Sequence, residues 1–219
     1  MCRKHSAVFE KSKEEKMVDH RLTDEEKNLL KSLIGSRLVS FTAEKIWENK
    51  FTPSYWIDLK TESSLVKIEN VLVPTVYLST DGDIEDVTRF SCKLASEEKT
   101  NLVDYIEKPA RGTISDIILV DDTIAVRGDH DDFAYDFVTT EGIVIKTEDS
   151  AFAISRGWHL MEVMLFEETL DYEKAIYPVA EVIEDWALTE DACDDPFYTT
   201  TATCDRKFIS LKDGGEIAH

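Results

Sequence analysis

The sequence predicts an α+β protein dominated by antiparallel β-sheet, and three observations carry that prediction. Short apolar runs with alternation or β-branched residues recur between residues 38 and 166. Helical spacing is confined to two stretches, a short one near the N-terminus and one near 173–188. A strand pair around Ile57-Asp58-Leu59 is echoed around Tyr135-Asp136-Phe137. At 219 residues, 42% of them hydrophobic, the chain can fill one large β-rich domain or two closely packed β units.

Residues 1–21 are rich in Lys and Glu and poor in large apolar side chains, so they read as a flexible tail, with residues 22–219 as the compact part. Thr23 and Glu26 then form a T-x-x-E capping box, and Asp24 and Glu25 suit the positive end of a helix dipole. Leu29, Leu30, Leu33 and Ile34 supply an apolar stripe that ends at Gly35, which predicts a helix over 24–34. A first β unit spans 35–108. Its strands are expected around 38–41, 55–59, 65–68 and 71–77, with a turn at 62–64. Pro74 places the last of these on an edge or at a bulge, and residues 97–105 suggest a short helix.

A second β unit spans 112–170, with strands expected at 113–120, 123–126, 133–139, 143–145, 152–154 and 160–166. Asp121-Asp122 and Glu141-Gly142 are expected hairpin turns between them. In the remaining segment, 171–219, a helix is expected to start near Pro178, residues 189–206 read as a loop, and 208–211 as a last short strand.

A shift of 78 residues sets Asp58 on Asp136 and Thr61 on Thr139 without a gap. Duplication and generic hairpin patterning both explain this match. Period-two alternation turns Asp58 and Asp136 away from their apolar neighbours, toward solvent.

The net charge of −20 is uneven, with twelve acids against the single Lys174 between residues 162 and 195. Such a field repels nucleic-acid phosphates and anionic lipid heads, so neither nucleic acid nor membrane is an expected partner; a basic protein is. The four cysteines show no pairing rhythm, and no apolar run approaches a membrane span. Without a signal-peptide pattern at the N-terminus, a cytoplasmic location is expected.

No catalytic signature, phosphate loop or dinucleotide fingerprint is present, and no cofactor is expected. Gly128-Asp129-His130-Asp131-Asp132, with Asp121 and Asp122 upstream, is the densest candidate for a divalent metal, though an acidic surface loop explains the same residues. Asp81–Asp86 departs from a calcium-loop pattern at its sixth and twelfth places. Ser155, Arg156, His159 and Glu162 lie close in sequence, but on a turn between strands such groups point several ways.

The best candidate surface for a partner combines acids and aromatics: Glu167, Glu168, Asp171, Tyr172, Glu184, Asp185, Trp186, Asp194 and Asp195. Three functions remain in view. The first is a non-catalytic acidic binding protein of the immunity or inhibitor type that neutralises a basic partner such as a nuclease toxin. The second is a metal-dependent hydrolase built on residues 121–132. The third is a structural or assembly subunit.

Overall fold

In the computed structural model, the structure describes residues 16–44, 55–76, 84–96, 105–128, 134–157, 162–187 and 200–217. Two antiparallel sheets face one another. The first holds β2 (Leu38–Glu44), β3 (Trp56–Thr61), β4 (Leu65–Val76), β5 (Ile84–Leu94) and β6 (Tyr105–Pro109), in the order β5-β4-β3-β2-β6. The second holds β7 (Asp116–Gly128), β8 (Ala134–Lys146), β9 (Ala151–Arg156), β10 (Met164–Glu168) and β11 (Thr200–Ser210), in the order β10-β9-β8-β7-β11. Each sheet is therefore a four-strand meander whose fifth strand returns beside its first. Three helices complete the fold: α1 (Asp24–Lys31), α2 (Tyr172–Ala175) and α3 (Val179–Trp186).

The equal strand orders locate the internal repeat at a different register from the one the sequence suggests. Thr61 and Thr147 close equivalent turns. Each donates its backbone N–H to the carbonyl of the residue three later, Ser64 or Ser150, and each hydroxyl accepts from that serine's N–H. Ile57-Asp-Leu-Lys-Thr-Glu-Ser-Ser64 thus matches Ile143-Val-Ile-Lys-Thr-Glu-Asp-Ser150, a shift of 86 residues. The shift of 78 fails because it sets the β3–β4 turn against the interior of β8. The starts of the two meanders are stitched together where Gly35 N–H donates to Ile114 and Leu38 N–H to Gly112. Both glycines have positive φ, a backbone conformation that a side chain would strain.

The core between the sheets is built by the inward faces of these hairpins: Ile57, Leu59, Val66 and Ile68 on one side, Ile143, Ile145, Phe152 and Ile154 on the other. Phe41 bridges them, its ring centroid 4.9 Å from Phe152 and 5.1 Å from Phe166. The outer faces differ in composition. That of the first sheet is polar, with Asp58, Lys60, Lys67 and Glu69, and it suits water. That of the second is apolar, with Ile118, Val120, Val144, Ala153 and Phe208, and α2 packs over it through Ala175 and Ile176.

Several expectations are corrected. Residues 16–20, assigned to the tail, form β1 (Lys16–His20), which pairs in parallel with residues 135–139 of β8. Parallel pairing lets a short, mostly polar segment join a sheet through its backbone while one side chain, His20, is buried. Asp121 and Asp122 are not a turn but the middle of β7, opposite Thr140 and Thr139. Glu141-Gly142 is not a turn either: Glu141 is the extra residue of a bulge, the pairing passing from Asp121↔Thr140 to Val120↔Gly142. Acidic pairs imitate turns in sequence; here buried arginines neutralise them inside the sheet.

The expected loop over 189–206 gives way to strand from Thr200 onward, because β11 pairs with β7 along its whole length. The second unit therefore runs past residue 170, with α2 and α3 inserted between its fourth and fifth strands. The expected helix over 97–105 lies outside the described residues except for Tyr105, which opens β6. Two local readings hold. The capping box on α1 is formed in both directions, although the helix closes at Ser32 before Gly35. Pro74 pairs with Asp86 of β5 beyond the end of β3, so the other side of β4 there faces no described strand and forms a local edge.

Candidate functional site

Two places concentrate chemistry: an acidic surface around β10, α2 and α3, and a buried ionic cluster at the bulge of β8. The surface begins with β10, whose alternation turns Met164 and Phe166 inward and leaves Leu165 and Glu167 outside. Thr169 continues the pairing with β9, and the chain then folds back through α2, where Asp171 pairs with Lys174. Pro178 caps α3, its carbonyl accepting from the N–H groups of Glu181 and Val182. Along α3, Val182 and Trp186 lie one turn apart on the buried side, so Glu181 and Glu184 face water.

Between β10 and the α2–Pro178 segment runs a cleft of about 360 Å³, lined by Leu165, Phe166, Glu167, Lys174, Ala175, Ile176, Tyr177 and Pro178. Its walls mix apolar side chains, Leu165, Phe166, Ala175, Ile176 and Pro178, with the charged Glu167 and Lys174. Six exposed acids lie along the same stretch of chain: Glu167, Glu168, Asp171, Glu173, Glu181 and Glu184. Leu170, 77% exposed, stands among them. Tyr177 donates its hydroxyl to Asp185 at 3.1 Å. Burial pushes the Asp185 carboxyl above the usual range, with Glu181 and Glu184 adding to the effect.

The structure divides the sequence-chosen partner residues. Glu167, Asp171 and Glu184 are exposed on this surface. Glu168 is exposed too, but it pairs with Lys108 of β6 at 3.0 Å. Tyr172 packs toward Phe208, their centroids 6.2 Å apart, beneath the Lys146 ammonium. Trp186 is corrected as a contact residue: it is 5% exposed, with its ring centroid 4.6 Å from that of Phe137, so it anchors α3 to the sheet. Asp194 and Asp195 lie outside the described residues, as do Asp129, His130, Asp131, Asp132 and His159.

The buried cluster was not legible in sequence. Arg156 donates through Nη2 to Glu141 at 2.6 Å and through Nη1 to the Thr88 carbonyl of β5, which ties the two sheets together. Arg206 grips both oxygens of Asp122, at 2.8 and 2.7 Å, and donates a third bond to the Tyr177 carbonyl. Asp121 accepts from the Thr140 hydroxyl at 2.8 Å. Burial pushes the Glu141 carboxyl up, opposed by Arg156 and reinforced by the charge on Asp122. The signal that could have revealed this cluster is an arginine ending an apolar strand, Arg156, and another inside the alternation of β11, Arg206.

These groups are engaged with one another and with neighbouring backbone inside the fold. Ser155 and Arg156, adjacent in β9, point to opposite faces: Ser155 accepts from the Tyr177 N–H near α2, while Arg156 reaches β5. Among the described residues no three metal-ligating side chains converge, and Asp121 and Asp122 are already held by Thr140 and Arg206. No described helix is long and apolar enough to cross a membrane. Set beside known proteins, the chain matches no family model, no curated protein and no solved structure.

Proposed function

We propose that the protein is a non-catalytic binding module that masks a basic surface on another protein, in the manner of an inhibitor or immunity protein. The observation that carries this reading is a run of exposed acids, Glu167, Asp171, Glu173, Glu181 and Glu184, on the same stretch of chain as a cleft of about 360 Å³ that has Leu165, Phe166, Ala175, Ile176 and Pro178 in its walls. These acidic groups steer a cationic partner and set its orientation, while the cleft takes an apolar or aromatic anchor from it. The commitment of Glu141 to Arg156, of Asp122 to Arg206 and of Asp121 to Thr140 supports a scaffold role for the chemistry-bearing interior.

The test uses a panel of purified basic nucleases against the immobilised full chain, across a range of salt concentrations. Binding that weakens steeply with salt is expected. Glu167→Lys with Glu181→Lys and Glu184→Lys should cost at least tenfold in affinity. Glu62→Lys with Glu69→Lys and Glu107→Lys, the same charge change placed on the first sheet, should cost far less. Equal losses would reduce the effect to net charge, and no binding by any basic protein would remove the proposal.

A further inference from the structure

β1 is attached in an unusual way. It opens the described chain, pairs with one strand only, and leaves Met17 and Asp19 exposed and Val18 half-buried. The well-buried side chain among its residues 17–20 is His20, at 7% exposure. The imidazole stands edge-on to Phe137 of β8, with centroids 5.0 Å apart, and its Nε2 lies 3.1 Å from the Thr75 hydroxyl of β4. With that hydroxyl donating to the Val73 carbonyl at 2.9 Å, Nε2 is assigned as the donor in the histidine–threonine contact. The bare Nδ1 is then buried with no hydrogen-bond partner.

A second proton on this ring would be buried with it, and the backbone group that favours it, the Thr88 carbonyl, already accepts from the Arg156 guanidinium. The charged groups facing the ring make matters worse: Arg156 from β9 and Arg89 from β5 oppose a positive imidazole, and only Asp19 from β1 itself favours one. Glu141 of β8 and Glu26 of α1 are nearby, but each is engaged by an arginine of the pair, Arg156 and Arg89 respectively. Because β1 precedes α1 and, among the described residues, pairs only with β8, it can leave without breaking any other described strand pair.

We propose that β1 is an acid-released strap: protonation of His20 detaches Lys16–His20 from the edge of β8 while both sheets stay folded. Release uncovers the β8 edge over 135–139 and the side of the Phe137 ring that His20 covers. Burial, with Arg156 and Arg89 adding to it, lowers the docked imidazole to about 4, against an ordinary 6.5. The docked state is therefore the one lost as pH falls from 6.5 toward 4. By linkage, lowering the pH from 7 to 5 shifts the balance toward release by about 20-fold.

Amide hydrogen exchange on the full chain at pH 7 and pH 5, corrected for intrinsic rates, tests this. Protection at residues 18–20 should fall about 20-fold in the native chain and by less than threefold in His20→Gln, with residues 143–145 unchanged in both. Should the glutamine variant fail to hold β1 at neutral pH, NMR titration of the native imidazole decides. Titration well below 6.5 together with loss of β1 protection supports the strap. Titration near 6.5 with β1 still protected, equal pH responses in both proteins, or simultaneous loss across the whole sheet overturns it.

Discussion

Glu141 and Arg156 meet at 2.6 Å on neighbouring strands, 3% and 1% exposed, at the one place where the pairing of β8 slips by a residue. The bulge is what turns the glutamate toward its partner. A charge left alone there has no water to turn to, so Glu141→Ala or Arg156→Ala should each lower the unfolding free energy by about 3–5 kcal/mol. Glu141→Leu combined with Arg156→Met should recover most of that loss. Urea denaturation of the three variants checks the pattern, and single losses under about 1 kcal/mol would show a hydrated pair.

Glu26 does more than complete its capping box. Its carboxylate accepts from the Thr23 N–H at 2.8 Å, from Arg89 at 2.6 Å and from the Cys92 N–H at 3.1 Å, so it pins α1 to β5. Thr23→Ala should cost about 1 kcal/mol, the usual worth of a cap. Glu26→Ala should cost about 3 kcal/mol because it strands a half-buried guanidinium as well. Chemical denaturation that ranks the two equally would reduce Glu26 to a local cap.

Gly142 lies against α2. A Cβ placed there would stand 2.6 Å from Ile176 Cδ1 and 3.5 Å from Val120 Cβ. Gly142→Ala should therefore destabilise by about 1–2 kcal/mol. Ile176→Val removes the offending methyl group, so a double-mutant cycle should show positive coupling between the two changes. Additive thermal shifts would mean that the α2 segment gives way freely.

Asp58 sits in the polar outer face of the first sheet, opposite Lys67 on β4, but it is half-buried rather than fully solvated. Burial raises its carboxyl above the usual value, with Lys67 opposing and Glu69 adding to the rise. The folded chain thus holds this proton more tightly than the unfolded one. The resulting stability is present at acid pH and fades as pH rises through the folded value. Asp58→Asn should stabilise the protein at pH 7, by less than about 1 kcal/mol because water screens the site, and the gain should disappear at low pH. Paired denaturation curves at pH 3 and pH 7 read this directly.

Much of the fold was legible because local signals and tertiary demand agreed. The α1 cap, the strand-end placement of Pro74 and the helix beginning at Pro178 each rest on backbone chemistry contained in a few adjacent residues. The polar outer face of the first sheet was readable from alternation alone. Glu167, Asp171 and Glu184 reach the surface for the same reason: they lie opposite the apolar residues of a short strand or helix.

Other features could not be read that way. Asp121-Asp122 and Glu141-Gly142 look like turns until β11 brings Arg206 beside one pair and β9 brings Arg156 beside the other, from 84 and 15 residues away. Trp186 looked like a docking anchor until Phe137 was placed beneath it.

The opening strand pair itself, Ile57-Asp58-Leu59, does have an echo, but at Ile143-Val144-Ile145, since only the turn geometry of Thr61 and Thr147 fixes the register. The sequence by itself determined composition, alternation, caps and the acidic field, which depend on near neighbours. The tertiary structure decided which charges are buried and paired, and which strand segment His20 holds in place, because those energies depend on groups that only folding brings within a few ångströms.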